Sequence, residues 1–119
     1  GVAYHCAVGK DRTGLLTLLL LGVLGTPRDA IVADYVRSAR VNVLQVARLR
    51  VIGHPAGGAT DEDLAIGVWS ARPETIEATI DLLDDRHGGA VGYLRDAGVD
   101  DDVVGVLRDR LLRPGGPAR

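Results

Sequence analysis

Apolar residues recur at helical spacing along most of this chain, and their pattern predicts a largely helical protein. Between positions 13 and 24 they stand on nearly every side of the helix, which predicts a segment that is buried on all its faces and ended by Gly25. Thr26-Pro27-Arg28-Asp29 then predicts a capped second helix with proline at its first position. This helix should reach about Arg40 and bury Ile31 and Tyr35.

The remainder of the chain is expected to form short helices separated by breaks that contain glycine or proline. Segment 41–52 has the β-branched residues of a strand but also fits a helix, which we favour, and segment 53–59 has the composition of a loop. Thr60 should cap a short helix that reaches about Trp69. The next helix begins near Ser70–Glu74, has Ile76, Ile80 and Leu83 on its inner face, and should end at Gly88-Gly89. Two further helices are expected at about 90–96 and 101–112.

The first residues predict the one strand of the chain. Val2, Ala3 and Tyr4 fit the end of a short buried strand, which leads into a glycine-containing turn. A lone parallel strand cannot form a sheet, so its neighbours are expected upstream or in another chain. Together with the absence of an initial methionine, this predicts the C-terminal part of a longer protein. We expect one domain over 1–113 and a flexible tail over 114–119.

Composition narrows the class of protein. Hydrophobic residues make up 46% of the chain and charged residues 25%, which is typical of a globular domain, and the 3% aromatic content predicts an aliphatic core. The net charge of −2 argues against nucleic-acid or anionic-membrane partners, and the longest apolar run is too short to span a bilayer. A single cysteine excludes an internal disulfide and fits the reducing cytoplasm; secretion of a longer parent is left open.

Candidate chemistry is concentrated in HCAVGKDRTG, residues 5–14, which contains the only cysteine and the only lysine of the chain. A strand, a tight loop and a helix N-terminus together can hold an oxyanion, and the field there favours a Cys6 thiolate. The planar guanidinium of Arg12 suits two phosphate oxygens, and Thr13 can donate its hydroxyl to the sulfur. Gly9 and Gly14 allow close approach of the backbone to a ligand and to neighbouring elements.

This decapeptide resembles the signature loop of the protein tyrosine phosphatase superfamily, His-Cys-x5-Arg-Thr/Ser-Gly. Its portion GKDRTG is similar to that of bacterial tyrosine phosphatases of the mycobacterial PtpB type, and segments 26–38, 72–89 and 92–112 resemble their helical C-terminal half. The resemblance implies an α/β cysteine-phosphatase fold, a parallel sheet flanked by helices. In this truncated chain the fold would be reduced to one short strand, the phosphate loop and five to six helices.

The resemblance also implies a role for each loop residue. Cys6 would be the nucleophile that forms a cysteinyl-phosphate, and Arg12 would hold the phosphate oxygens. His5 would orient the loop, Thr13 would stabilise the departing sulfur, and Asp11 is the candidate general acid and base. The implied substrate-binding residues are Ala7, Val8, Gly9, Lys10, Asp11 and Arg12.

Substrates implied by the resemblance are phosphotyrosine proteins, and also phosphoserine, phosphothreonine or phosphoinositide substrates in some members of the family. No metal or other cofactor is expected, because Arg12 and backbone dipoles would replace a cation. Lys10 would meet a second phosphate or an acidic substrate flank.

Several other interpretations compete with these roles. Cys6 could be inert packing, Asp11 a carboxylate that merely favours the helix dipole, and Lys10 a solvated side chain. The whole chain could also be a phosphate-binding fragment without catalysis. A nucleotide-binding Walker loop is disfavoured, because position 4 is Tyr4 where that motif needs glycine. A rhodanese-like sulfurtransferase is disfavoured by the Arg-Thr-Gly ending and the helices that follow.

The remaining polar and aromatic residues have simpler explanations. His54 and His87 lie beside glycines with no second ligand at metal spacing, so surface or capping roles are expected. The acidic runs 61–63 and 100–102 lack the spacing of a calcium loop and fit the first turns of helices. Trp69 and Tyr93 are expected in the core rather than in a substrate-binding surface.

Overall fold

The computed structural model describes residues 1–113, and within them the chain is helical. Residues 1–10 have no regular secondary structure. Seven α-helices and one short 3-10 helix, Pro55–Gly58, follow in this range. The α-helices are α1 Asp11–Val23, α2 Arg28–Val36, α3 Ser38–Val51, α4 Asp61–Ala65, α5 Pro73–His87, α6 Ala90–Asp96 and α7 Asp101–Leu112. The tail predicted at 114–119 lies outside the described residues.

The strand predicted at Val2–Tyr4 is wrong for the described part of the chain, and residues 1–113 contain no sheet. A strand needs a neighbouring backbone to complete its hydrogen bonds, and residues 1–113 offer none that is extended alongside. The side chain of Val2 is accordingly 94% exposed. Tyr4 is held differently, because its hydroxyl lies 2.9 Å from the Thr17 hydroxyl of α1.

Helix α1 begins at Asp11, two residues before the predicted start, and ends at Val23, close to the predicted stop. Gly25 adopts a positive φ of 76°, which turns the chain so that Thr26 N–H donates to the Leu21 carbonyl at 3.0 Å. The prediction that this helix is buried on all faces is wrong. Helices α2 and α6 cover only one side of it, where Leu18 and Val23 are buried, while Leu15 and Leu16 lie at the exposed surface.

The second predicted helix is divided in two. Pro27 occupies the N-cap instead of the first helical position, because Thr26 is already engaged in the end of α1. The helix ends at Val36, and α3 begins two residues later. The helical prediction for 41–52 is confirmed as far as Val51.

Capping residues in the sequence correctly predicted most of the other helix ends. Thr60 forms the predicted capping box: its hydroxyl accepts from Asp63 N–H at 3.2 Å, and the Asp63 carboxylate accepts from Thr60 N–H at 2.8 Å. Helix α4 nevertheless ends at Ala65, before the predicted Trp69. Gly88, with a φ of 70°, ends α5 as expected, and α6 and α7 match their predicted ranges.

The core lies where α1, α2 and α5 meet. Its buried residues are Leu18, Ile31, Tyr35, Ala71, Ile76 and Ile80. An ion pair between Arg28 and Asp81 joins α2 to α5, and Arg108 donates to the Val23 carbonyl at 2.7 Å, which joins α7 to the end of α1. None of the helices in residues 1–113 is long and apolar enough to cross a membrane. This arrangement holds the N-terminus of α1, and the loop before it, against α2.

Candidate active site

The loop that precedes α1 is folded back on its helix by two glycines. Gly9 has a φ of 79°, a conformation that residues with a side chain rarely adopt. Gly14 N–H donates to the Lys10 carbonyl at 2.6 Å and so continues the loop into the first helical turn. A Cβ at Gly14 would lie 2.8 Å from Cδ2 of Tyr35, so glycine is what lets α1 pack closely on α2.

The thiol of Cys6 receives hydrogen bonds from this loop and from the first turn of α1. Gly9 N–H donates to Sγ at 3.2 Å, while the Thr13 hydroxyl oxygen accepts from Cys6 N–H at 2.9 Å. Hydrogen bonds from the Thr13 hydroxyl and then from the Thr13 backbone N–H lower the pKa of the Cys6 thiol to about 6. Desolvation opposes this shift, and the backbone N–H groups of Gly9 and Val8 add to it. The thiolate therefore predominates at neutral pH, and the thiolate is the reactive form of a cysteine.

His5 and Arg12 share a cavity with Cys6. The cavity has a volume of about 230 Å³ and is lined by Tyr4, His5, Cys6, Arg12, Thr13 and Leu16. His5 Nδ1 lies 3.2 Å from the Cys6 carbonyl oxygen, so a protonated Nδ1 donates to the loop. The Arg12 side chain forms no ion pair with the rest of residues 1–113, and its guanidinium can bind an anion that enters beside the sulfur.

Asp11 lies on the other side of the loop. Its Oδ1 is 3.4 Å from the Tyr35 hydroxyl and 3.3 Å from Lys10 Nζ, and it lines a separate cavity of about 160 Å³ against α5. Burial, and then the charge of Asp11, raise the pKa of Tyr35, so the phenol stays protonated and donates to the carboxylate. The Asp11 side chain is 62% exposed. The structure therefore does not bring this carboxylate into the cavity of Cys6.

Lys10 differs from both interpretations considered for it. The residue is only 5% exposed, so the alternative of a solvated lysine is wrong. Its ammonium donates to the carbonyl oxygens of Val68 at 2.5 Å and Ser70 at 2.8 Å. The partners expected for Lys10 were instead a second phosphate or an acidic flank of the substrate. Asn42, which the sequence did not single out, is also buried and donates from Nδ2 to the Trp69 carbonyl at 2.7 Å.

The other polar residues considered above have structural partners. His54 Nδ1 accepts from Ala56 N–H at 3.1 Å and caps the 3-10 helix, as predicted. His87 Nδ1 lies 2.6 Å from Asp96 Oδ2. The ring of Tyr93 packs edge-on against His87 and is partly exposed, so its predicted core position is wrong. Within residues 1–113, no group of three His, Cys, Asp or Glu side chains is arranged to hold a metal ion.

Comparison with known proteins places this loop in a family. Residues 1–113 match the profile of the tyrosine phosphatase family, and the chain belongs to that family, as the sequence resemblance predicted. It is 37% identical to the triple specificity protein phosphatase PtpB of Mycobacterium tuberculosis over 120 residues, which cover 93% of this chain and 44% of that protein. It is 35% identical to a tyrosine-protein phosphatase of Nostoc commune over 117 residues, which cover 96% of this chain and 40% of that protein. The chain thus spans less than half the length of these relatives.

Proposed function

We propose that this chain carries the phosphate loop of a cysteine-dependent phosphomonoester hydrolase that dephosphorylates phosphotyrosine in proteins. The observation that carries the proposal is the environment of Cys6, whose thiol pKa is lowered to about 6 and whose cavity is also lined by Arg12, a side chain with no ion-pair partner among residues 1–113. A thiolate and a guanidinium that face one small space are suited to attack on phosphorus and to binding of its oxygens.

In the first step the Cys6 thiolate attacks the phosphorus of the ester. The new S–P bond forms as the bond between phosphorus and the leaving oxygen breaks, and the proposed acid, Asp11, gives its proton to that oxygen. Arg12 and the backbone N–H groups of residues 7–12 hold the three oxygens that stay on phosphorus. The products are the free alcohol and a cysteinyl-phosphate.

In the second step water attacks the cysteinyl-phosphate. The Asp11 carboxylate takes a proton from the water, a P–O bond forms, and the S–P bond breaks to release inorganic phosphate and the thiolate. The Thr13 hydroxyl donates to the sulfur as its charge returns, in line with its effect on the Cys6 pKa. His5, through its contact with the Cys6 carbonyl, keeps the loop in position. These steps use no metal and no cofactor.

For Asp11 to serve both steps, its carboxylate must turn from Tyr35 toward the cavity of Cys6. Its exposed side chain and the long 3.4 Å contact with the Tyr35 hydroxyl favour such a rotation, which also breaks the 3.3 Å ion pair with Lys10 and leaves that ammonium bonded to carbonyl oxygens alone. The rival role, a first-turn carboxylate that favours the dipole of α1, needs no rotation. The two roles predict different dependences of the Asp11→Asn effect on the leaving group of the ester.

The finer parts of the proposal rest on family membership. The name of the mycobacterial relative describes triple specificity, which supports phosphoserine, phosphothreonine or phosphoinositide esters as further substrates. Family membership also supports the cysteine-phosphatase fold, a parallel sheet flanked by helices, for the complete protein. A nucleophilic thiol needs reducing surroundings, which favours the cytoplasm.

The test is hydrolysis of an aryl phosphate by the 119-residue chain and by its Cys6→Ser variant, between about pH 5 and pH 8 with a chelator present. We expect chelator-resistant turnover that the variant loses. The acid-quenched wild-type chain should carry phosphate on the peptide that contains Cys6. Folding of both chains is checked by circular dichroism.

Turnover that survives in Cys6→Ser would overturn the proposed chemistry. A folded chain that binds inorganic phosphate without any turnover would instead support the non-catalytic alternative for this chain. The same assay on a chain of the relatives' length would then show whether catalysis requires the additional residues.

A further inference from the structure

Two buried polar side chains hold one short segment of the chain. Among residues 1–113 the buried residues with polar side chains are Lys10 and Asn42, which are 5% and 1% exposed. They lie 32 positions apart in sequence, yet their donors bind three consecutive carbonyl oxygens, those of Val68, Trp69 and Ser70. The segment 68–70 lies in a turn between α4 and α5, where the Ser70 N–H and hydroxyl donate to the Gly67 carbonyl at 2.9 Å and 2.8 Å.

The ammonium of Lys10 is engaged inside the protein. It donates to the carbonyl oxygens of Val68 at 2.5 Å and Ser70 at 2.8 Å, and it forms an ion pair with Asp11 Oδ1 at 3.3 Å. A buried charge is tolerated only when it is paired and hydrogen-bonded, and this arrangement meets both conditions. Contact with a substrate phosphate would require the ammonium to leave this interior site and its carbonyl partners.

We propose that Lys10 is a positioning residue that fastens the phosphate loop to segment 68–70 and does not bind the substrate phosphate. It links three parts: the loop, since Lys10 is its last residue; Asp11, through the ion pair; and the backbone that carries Trp69. The effect on catalysis rests on the function proposed above, whereas the link itself is structural and is tested without turnover.

The first experiment needs no variant, because the sequence contains only two amines, the Gly1 α-amine and the Lys10 ε-amine. The chain is acetylated with an N-hydroxysuccinimide ester, folded or in urea, and the modified peptides are quantified by mass spectrometry. Lys10 should react at least about tenfold more slowly in the folded chain than in urea. The exposed Gly1 amine is the internal control and should react alike in both. Inorganic phosphate should leave the Lys10 rate unchanged.

Rapid acetylation of Lys10 in the folded chain would overturn the proposal. So would protection of Lys10 by inorganic phosphate, because a phosphate contact predicts that the ligand shields the ammonium. Either result would be obtained whether or not the chain turns over substrate.

The second experiment uses Trp69, the only tryptophan, as a reporter on the segment that Lys10 holds. Lys10→Met removes the ammonium and keeps an unbranched apolar side chain. Asn42→Ala removes the other anchor and leaves Lys10 in place. Both should increase quenching of Trp69 fluorescence by acrylamide. Arg48→Met, on the exposed surface of α3, removes the same charge as Lys10→Met and should change nothing.

Kinetics then separate positioning from binding. Lys10→Met should lower kcat about 10- to 100-fold and leave KM for an aryl phosphate within about twofold, because a displaced loop loses reactive geometry. A rise in KM with kcat unchanged would indicate a phosphate contact and overturn the proposal. If the wild-type chain is inactive, the proposed function fails for this chain, while acetylation and quenching still decide the role of Lys10. If Lys10→Met does not fold, acetylation of the wild-type chain decides it.

Discussion

The hydroxyl oxygen of Thr13 lies 2.9 Å from the backbone nitrogen of Cys6, so the first turn of α1 holds the residue that carries the thiol. The oxygen accepts this bond and can still donate its own hydrogen to Sγ, and the Thr13 hydroxyl is the largest influence that lowers the thiol pKa to about 6. One side chain thus both closes the loop and prepares the nucleophile.

Replacing Thr13 by valine should raise the pKa of Cys6 from about 6 toward the ordinary value of a free cysteine, near 8.5. A lowered thiol pKa means that thiolate predominates above it, so the variant should lose thiolate at neutral pH. The rate of alkylation by iodoacetamide at pH 7 should fall several-fold, and the midpoint of its pH profile should move upward. Thr13→Ser keeps the hydroxyl and should retain the wild-type midpoint; an unchanged midpoint in the valine variant would contradict the assignment.

Asp11→Asn distinguishes a catalytic acid from a carboxylate that only favours the helix dipole. If Asp11 protonates the leaving group, kcat should fall about 10²- to 10⁴-fold for phenyl phosphate. The loss should be smaller for p-nitrophenyl phosphate, whose leaving group needs little protonation. Asp29→Asn is the matched control, because Asp29 lies in the first turn of α2 and is exposed. Equal losses for the two esters would contradict the acid role.

Gly14→Ala should destabilise the fold through a steric conflict with the core. Its Cβ would lie 2.8 Å and 3.0 Å from two ring carbons of Tyr35, which is itself buried. Overpacking of this kind costs about 1–3 kcal/mol of the free energy of unfolding, against a helix-propensity gain of about 1 kcal/mol. Urea unfolding measures the difference.

A second glycine-to-alanine change provides the control. Gly105 lies in α7, and a Cβ there would meet nothing within 4 Å. Gly105→Ala should therefore raise the free energy of unfolding by about 1 kcal/mol. A stabilising effect of Gly14→Ala would mean that α1 and α2 are less closely packed than described here.

Ile76→Ala tests whether α5 anchors the core beneath the loop. Ile76 is 2% exposed and belongs to the cluster that contains Leu18 and Tyr35. Its truncation should lower the free energy of unfolding by about 2–5 kcal/mol. Leu82→Ala, on the same helix at a site that is 48% exposed, should cost clearly less. Similar losses at the two positions would contradict the packing described.

Features that depend on neighbouring residues in sequence were predictable. The spacing of Cys6, Arg12 and Thr13 within one turn indicated the anion loop, because residue types and short separations define it. Thr60 and Gly88 located helix ends for the same reason, since capping bonds reach only a few residues. The family resemblance rested on such local motifs, and the comparisons confirmed it.

Features that depend on distant parts of the chain were not predictable. The carbonyl oxygens that accept from Lys10, those of Val68 and Ser70, lie 58 and 60 residues further along the chain, and no sequence pattern around Lys10 predicts them. The burial of α1 was overestimated because a run of apolar residues shows which side chains can be buried, but it does not show which helices will pack against them. The short apolar segment Val2–Tyr4 fitted a strand, but strand formation is decided by a partner backbone, which residues 1–113 do not provide.

Cys6 is the only thiol of this sequence, and this affects how the site responds to oxidants. Peroxide reacts with thiolates, so the lowered pKa that favours attack on phosphorus also favours oxidation to a sulfenic acid. Many redox-sensitive enzymes trap that species with a second cysteine, and no other residue of this sequence can do so. Within this chain, recovery of an oxidised Cys6 therefore requires a thiol from solution, which reduces either the sulfenic acid itself or the sulfenamide formed when that acid condenses with a backbone nitrogen of its own loop.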